Sequence, residues 1–292
     1  VRSLDAAKIE FRRIDKAKDP EKPATRIDVM LLDKHPGADP RMDCQAIADV
    51  EMDVPTGATV QVQTRDGDIA IAGVSAAYAG SQNGDITIER ATKLVEAGSV
   101  GGSIFLKDSS GRVNLSSAGG GVEVVNVRSA SVEDTFEVGT VSGDIQLERV
   151  SNSKVMAKTV NGTVTMSGPL VKSGYYGFTN VTGDVVLALP HDASFKLNAK
   201  VSEKRDIVSD FKLTYVSDAP PPPPAAKPRS PESTPKPPAP KVQSAPKAGP
   251  VIMVDKPAVV APYVRRVNAI CGTGDATISV ASFGGTIRLK KI

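Results

Sequence analysis

The chain has 292 residues, 40% of them hydrophobic, enough for a sizeable core in one large domain or two ordinary ones. Aromatic residues make up only 4% and tryptophan is absent, which disfavours a protein built on aromatic platforms that stack sugars or bases. The 36 basic and 33 acidic residues nearly balance, and no run of 18 apolar residues is present that would cross a membrane as a helix.

The first residues, Val1 to Asp5, do not read as a signal peptide and lack a starting Met, as in a trimmed or mature chain. Over residues 1–50 the sequence predicts an N-terminal β cap or lead-in. Ile9–Phe11 and Arg26–Leu32 have strand character, with a charged loop over 15–23 between them. Val50–Pro55 and Thr59–Thr64 then lead into a repeat.

The repeat is the most informative feature of the sequence. A turn residue, a glycine and a small or acidic residue are followed by alternating apolar positions, as in Asp66-Gly67-Asp68-Ile69-Ala70-Ile71, Asn83-Gly84-Asp85-Ile86-Thr87-Ile88 and Ser142-Gly143-Asp144-Ile145-Gln146-Leu147. The turn glycines fall at Gly67, Gly84, Gly102, Gly121, Gly143, Gly162 and Gly183, a mean interval of about 19 residues, and the phrase returns near the end at Gly285. Asn-Gly and Asp-Gly turn the chain sharply. The alternation after them marks a strand buried on one face. A meander or sandwich would also use such strands, but a near-constant period with the same residue type at the same place favours a stack. The expected fold is therefore all-β, a single β-solenoid resembling a parallel β-helix with coils of ~19 residues over 51–216. In it Ile69, Ile86, Ile104, Val122, Ile145, Val164 and Val185 form one inward ladder. Seven coils at about 4.8 Å give a stack of roughly 35 Å.

After Leu189-Pro190 the pattern weakens. Phe195 to Tyr215 reads as a modified coil, with Arg205 where a glycine is due. Residues 217–262 are a proline-rich insertion; five of the prolines run from Pro220 to Pro224. That composition predicts a flexible, extended polyproline-type spacer. Over 218–250 it carries five basic and two acidic residues, so the basic pI of about 8.7 comes largely from this segment. The rest of the chain is neutral, which offers no basic face for specific nucleic-acid binding. Residues 263–292 repeat the phrase at Ile270–Ile278 and Phe283–Leu289 and are expected to complete the solenoid beyond the modified coil. Cys44 and Cys271 then sit near opposite ends, which disfavours a disulfide, whose Cα atoms must lie within about 7 Å, unless the long spacer carries the tail back.

Signs of chemistry are sparse. The aspartates after glycine (Asp68, Asp85, Asp144, Asp184, Asp275) alternate with Ser103, Val122 and Thr163, so the column is broken and reads as coil-corner turns rather than a carboxylate cluster. Calcium-binding β-rolls repeat at half this period. No cysteine pair or histidine has zinc spacing. His35 and His191 are isolated in turn contexts, with no partnered nucleophile. Gly98–Gly102 and Gly119–Gly121 lead into strands, not helices, and are coil corners rather than phosphate cradles. No catalytic, cofactor-binding or metal-ligating residue is assigned. Tyr175, Tyr176 and Phe178 form the one aromatic cluster, a candidate contact site.

The serial Gly-Asp-Ile phrases, the lead-in Asp53–Ala58, the run from Gly177 through Leu189-Pro190 to Ser209–Phe211, and the closing Phe283–Leu289 together resemble the bacterial DUF4097 family of β-strand-repeat proteins, which carry an adhesin-like label. The likeness covers roughly residues 50–215 and 265–292; Arg205 and the proline insertion depart from it. The resemblance implies a β-solenoid exported to the periplasm, cell envelope or cell surface, with no general activity, cofactor or active site to carry over. The functional expectation is a non-enzymatic envelope or surface scaffold with an adhesin-like interaction role. Its partner would be a protein or envelope polymer, with weak electrostatic contact between 218–250 and anionic polymers. A self-assembling, bactofilin-like filament is the alternative, with the oligomeric state open, and a carbohydrate-active β-helix enzyme comes third.

Overall fold

The structure, a computed structural model, describes residues 7–14, 26–33, 49–202, 206–216 and 264–292. The chain divides into two compact units, Val1–Asp53 and Val54–Ile292. In the first, β1 (Ala7–Ile14) pairs antiparallel with β2 (Arg26–Asp33), with Phe11 opposite Val29. The predicted strands fall inside these two. Arg205, His35, Cys44 and the proline-rich residues 217–262 lie outside the described residues.

The second unit is all-β among its described residues. Its strands are β3 (Thr59–Gln63), β4 (Ile69–Ala72), β5 (Ala76–Ser81), β6 (Ile86–Glu89), β7 (Leu94–Ser99), β8 (Ile104–Lys107), β9 (Arg112–Ser117), β10 (Val122–Arg128), β11 (Thr135–Ser142), β12 (Ile145–Ser151), β13 (Lys154–Asn161), β14 (Val164–Ser167), β15 (Tyr175–Thr182), β16 (Val185–Leu189), β17 (Phe195–Ser202), β18 (Ile207–Ser209), β19 (Thr214–Tyr215), β20 (Val264–Cys271), β21 (Ala276–Ser282) and β22 (Ile287–Lys291). From β3 to β16 they alternate between two sheets, and each strand from β3 to β14 pairs in parallel with the strand two elements later. This is the β-solenoid that the repeat predicts.

Each sheet has one face inward and one outward, so its strands alternate buried and exposed, unlike the continuous apolar strands of parallel sheets covered on both faces. Ile69, Ile86, Ile104, Val122, Ile145, Val164, Val185 and Ile287 are in mutual register and all buried. Facing them, the second sheet contributes Ala77, Val95, Val113, Phe136, Val155, Tyr176 and Ile278, also buried. Each fully buried Val, Ile, Leu or Phe side chain contributes about 1.5–3 kcal/mol by leaving water.

One corner is built from a second pattern, Ser/Thr/Asn-x-x-Gly. Ser99 Oγ accepts a hydrogen bond from the Gly102 N–H of its own coil at 2.9 Å and donates to the carbonyl of Gly84, one coil back, at 3.1 Å. Ser81 and Ser117 make the same two bonds. Thr140, Thr159 and Asn180 each donate to the glycine carbonyl of the preceding coil. The glycines are packed just as tightly. A Cβ on Gly84, Gly102, Gly120, Gly143, Gly162, Gly183 or Gly285 would collide with the carbonyl of the glycine one coil before it. Only a residue without a side chain fits this approach.

The register corrects one assigned turn residue. Val122 pairs with Ile104 and Ile145, which puts Gly120, not Gly121, in the column with Gly102 and Gly143. Gly121 instead takes the place that Asp85 and Asp144 hold in their coils, the place assigned to Val122 by counting. A run of three glycines cannot be registered by counting, because each one satisfies the phrase.

The C-terminal strands also depart from expectation. They do not extend the stack beyond the modified coil but enter it. β21 pairs in parallel with β15 on one side and β17 on the other, and β22 lies between β16 and β18 in the same way. Gly285 therefore stacks on Gly183. β20 covers the far edge of β17 antiparallel, and β19 follows it. The chain leaves this edge at Val216, whose N–H donates to the Asn268 carbonyl at 2.8 Å, and returns to it at β20.

Two outcomes follow from this packing. Gly102→Ala should cost about 1–3 kcal/mol or more, whereas Gly139→Ala, on an outward strand position where a Cβ meets only the Lys158 carbonyl at ordinary contact distance, should be neutral or stabilising by up to about 1 kcal/mol; denaturant melts of the two variants check the contrast. Removing residues 264–292 should abolish cooperative unfolding, since β15 to β18 then lose their neighbour, while replacing 218–262 with a short Gly/Ser linker should leave the melting temperature within a few degrees; circular dichroism melts read both.

Candidate binding surface

The aspartates singled out in the sequence are positioned by the same corner. Asp68 Oδ1 accepts the backbone N–H of Asp85 at 2.9 Å, and Asp85 Oδ1 accepts that of Ser103 at 2.7 Å. Asp144 does the same for Thr163 and Asp184 for Thr286. Each carboxylate bridges one coil to the next, which gives it a backbone role at the corner. Among the described residues, no group of three or more His, Cys, Asp or Glu is placed to hold a metal ion.

The aromatic cluster divides. β15 alternates, so Tyr176 and Phe178 point into the core, fully buried, and only Tyr175 faces outward, 40% exposed. The candidate contact site is thereby reduced to one residue. Tyr176 has a packing role with a polar tip: its hydroxyl oxygen accepts the Val171 N–H at 2.7 Å. Burial pushes its phenol above the ordinary tyrosine value, partly offset by that hydrogen bond. The Cys271 thiol is free and half-buried; burial raises its pKa, and the positive charge of Lys291 opposes the rise. His191 lies exposed in a turn.

The surface with the shape of a site is one that sequence reasoning did not single out. On the outward face of the larger sheet, strands β3, β5, β7 and β9 line a shallow open groove of about 300 Å³. Its floor is the column Gln63, Gly80, Gly98 and Ser116, and its wall is the column Gln61, Tyr78, Glu96 and Asn114. The groove runs across four strands along the stacking direction, roughly 14 Å at 4.8 Å per step. Its small floor is not imposed by the fold: a Cβ at Gly80 would make only ordinary contact with Gln63, unlike the corner glycines. Glycine inside a strand weakens it and marks places where another chain approaches closely. The alternation of Tyr78 with Gly80 and of Glu96 with Gly98 is the signal in the sequence. The wall offers amides, a carboxylate and a phenol, which suit hydrogen bonding to an extended polar chain.

A family model described as Toastrack DUF4097 matches residues 47–215, more than half of the chain. No curated protein and no solved structure matches it. β20 to β22 lie outside the matched span yet complete both sheets.

The Tyr176 environment sets an alkaline limit. A phenol whose pKa is raised on folding leaves stability intact below its unfolded value of 10.0 and withdraws it as pH climbs through the higher folded value. Tyr176→Phe should flatten that loss above pH 10 while costing about 1 kcal/mol at neutral pH, because the Val171 N–H loses its acceptor; melts at neutral and alkaline pH separate the two effects.

Proposed function

The chain belongs to the Toastrack DUF4097 family, and we propose that it works as a non-enzymatic interaction scaffold, exported to the cell envelope or surface and adhesin-like in role. The observation that carries this reading is the groove on the larger sheet, shallow, open and lined by polar and apolar groups alike, laid on a face whose strands are fixed by the stack beneath it. Such a site suits an extended chain, a glycan strand or a peptide, held by several weak contacts. The preorganised sheet reduces what binding loses in ordering the protein side. The non-enzymatic part is supported by the aspartates being engaged as backbone bridges between coils. The enzyme and filament alternatives draw no support of that kind.

Binding to isolated envelope material, measured by co-sedimentation, tests the proposal. The protein should pellet with cell-wall polymer or envelope fragments. Tyr78→Ala and Gly80→Leu, which remove a wall and fill the floor, should weaken binding about fivefold or more without shifting the melting temperature by more than a few degrees. The recovered polymer should be of unchanged length. Equal binding by both variants would move the contact elsewhere, and shortened polymer would overturn the non-enzymatic reading.

A further inference from the structure

The corner carries an outward ladder as well as an inward one. The residue after each buried hydroxyl or amide points to solvent, and over six successive coils it is apolar: Val100, Ala118, Val141, Val160, Val181 and Phe283. The valines and the phenylalanine are between 41% and 59% exposed, and Ala118 is exposed too. The stacking is continuous. Gly119 N–H donates to the Val100 carbonyl, Ser142 N–H to that of Ala118, and Phe283 N–H to that of Asn180. Thr140 pairs with Thr159 and Thr159 with Asn180, which sets Val141, Val160 and Val181 in line. Five steps of about 4.8 Å make a ridge roughly 24 Å long. A lone exposed valine is ordinary; an unbroken apolar ridge along one edge marks an interaction surface.

The charge of the same unit is polarised about the middle of this ridge. Among its described residues, 54–153 carry twelve acidic and seven basic side chains, and 154–216 with 264–292 carry five acidic and eleven basic. The sign changes between β12 and β13, at the level where Val141 gives way to Val160. The two halves of the ridge therefore lie on opposite fields: Val100, Ala118 and Val141 on the acidic half, Val160, Val181 and Phe283 on the basic half.

We infer that this ridge is a self-association surface, on which a second copy of the chain lies antiparallel. Both features call for the same partner. A ladder with a step of about 4.8 Å is matched in pitch by another copy of itself. Of the two ways of laying ridge on ridge, the parallel one sets like charge against like, and the antiparallel one sets the acidic half of each copy against the basic half of the other. A two-fold axis between the β11 and β13 levels then brings Val141 against Val160 of the second copy, Ala118 against Val181, and Val100 against Phe283. The contact is isologous and closes at two copies. A ridge this narrow is smaller than a standard interface, so the dimer should be weak, with a dissociation constant in the micromolar range, and should weaken further as salt screens the flanking charges.

The binding groove at β3 to β9 borders one end of the ridge, with Gly98 and Ser116 two residues before Val100 and Ala118, but it is probed by polymer binding and the ridge by self-association, so the two readings stand or fall separately. Sedimentation velocity of the full chain from roughly 1 to 300 µM is the test. The wild type should shift from monomer to dimer, and raising ionic strength from about 0.05 to 0.5 M should raise the dissociation constant several-fold. Val160→Glu, at an exposed site, should leave a folded monomer across the range. A wild type that stays monomeric throughout overturns the inference. So does a dimer that survives Val160→Glu in a protein whose circular dichroism is unchanged, or one whose dissociation constant does not rise with salt.

Discussion

The stack depends on the contact between backbones at one corner. Parallel strands in both sheets fix a coil-to-coil step of about 4.8 Å, and at the corner the chain must turn between sheets without losing it. A side chain there would push the coils apart, so the corner residue is glycine from Gly84 to Gly285, each resting on the carbonyl of the one before. The corner would still hold unpaired N–H and C=O groups in the interior. Such groups are costly when left unbonded. Ser81, Ser99 and Ser117 bond to both, one from their own coil and one from the coil below. Outside this, Asp68, Asp85, Asp144 and Asp184 tie the next N–H. The glycine makes the approach sterically allowed, and the hydroxyl and carboxylate make it electrostatically acceptable.

Because every coil presents the same edge, the stack does not distinguish one coil from another by its backbone. This explains how β21 and β22 enter between β15–β16 and β17–β18, although residues 195–215 precede them in the chain. The phrase Ser282-Phe283-Gly284-Gly285 supplies the same hydroxyl and glycine as any internal coil: Ser282 Oγ accepts the Gly285 N–H at 3.3 Å, and Gly285 rests on Gly183. β17 lacks that phrase, and its side chains instead pack at the end of the stack, where Phe195 meets Phe211 edge to face at 5.4 Å with Lys291 above the Phe211 ring. A coil carrying the corner residues belongs inside, and one without them belongs at the end, under an antiparallel strand. The placement follows from corner chemistry rather than chain order.

This also accounts for how much was legible. The repeat, the alternation and the inward Ile/Val ladder are periodic and local, and they lead directly to a solenoid. The Ser/Thr/Asn-x-x-Gly spacing was equally visible from Thr64-x-x-Gly67 to Ser282-x-x-Gly285, but it carries meaning only once the hydroxyl is known to face inward. Tyr176 and Phe178 share one face by simple alternation and Tyr175 the other, so the split of that cluster was readable; adjacency in sequence obscured it. Register within Gly119-Gly120-Gly121 and the order of the last coils were not readable, because identical edges pair equally well. Nor was the second corner, where Arg90, Asp108, Asn126 and Arg149 adopt positive φ. Asp108 and Asn126 are types that tolerate a left-handed conformation, but Arg90 and Arg149 do not announce one, and the stack imposes it where Gly73 and Gly168 show the unstrained choice.

The division of labour between faces sets what the molecule has available for function. Inward positions and corners are committed to stacking, and a change there is felt by the coils on both sides. Outward positions are released from that constraint, so regularity on the outside needs a reason other than the fold. Glycine at Gly80 weakens a strand that the fold would accept with a larger residue, which makes this part of the groove a feature held against stability. The valines beside the corner face water, where a polar residue would sit equally well on the same backbone, as Gln82 does one coil before Val100. The stack supplies a straight edge and a fixed step, and whatever binds it is recognised by matching that step: an extended chain along the groove, or a ladder of the same pitch along the ridge.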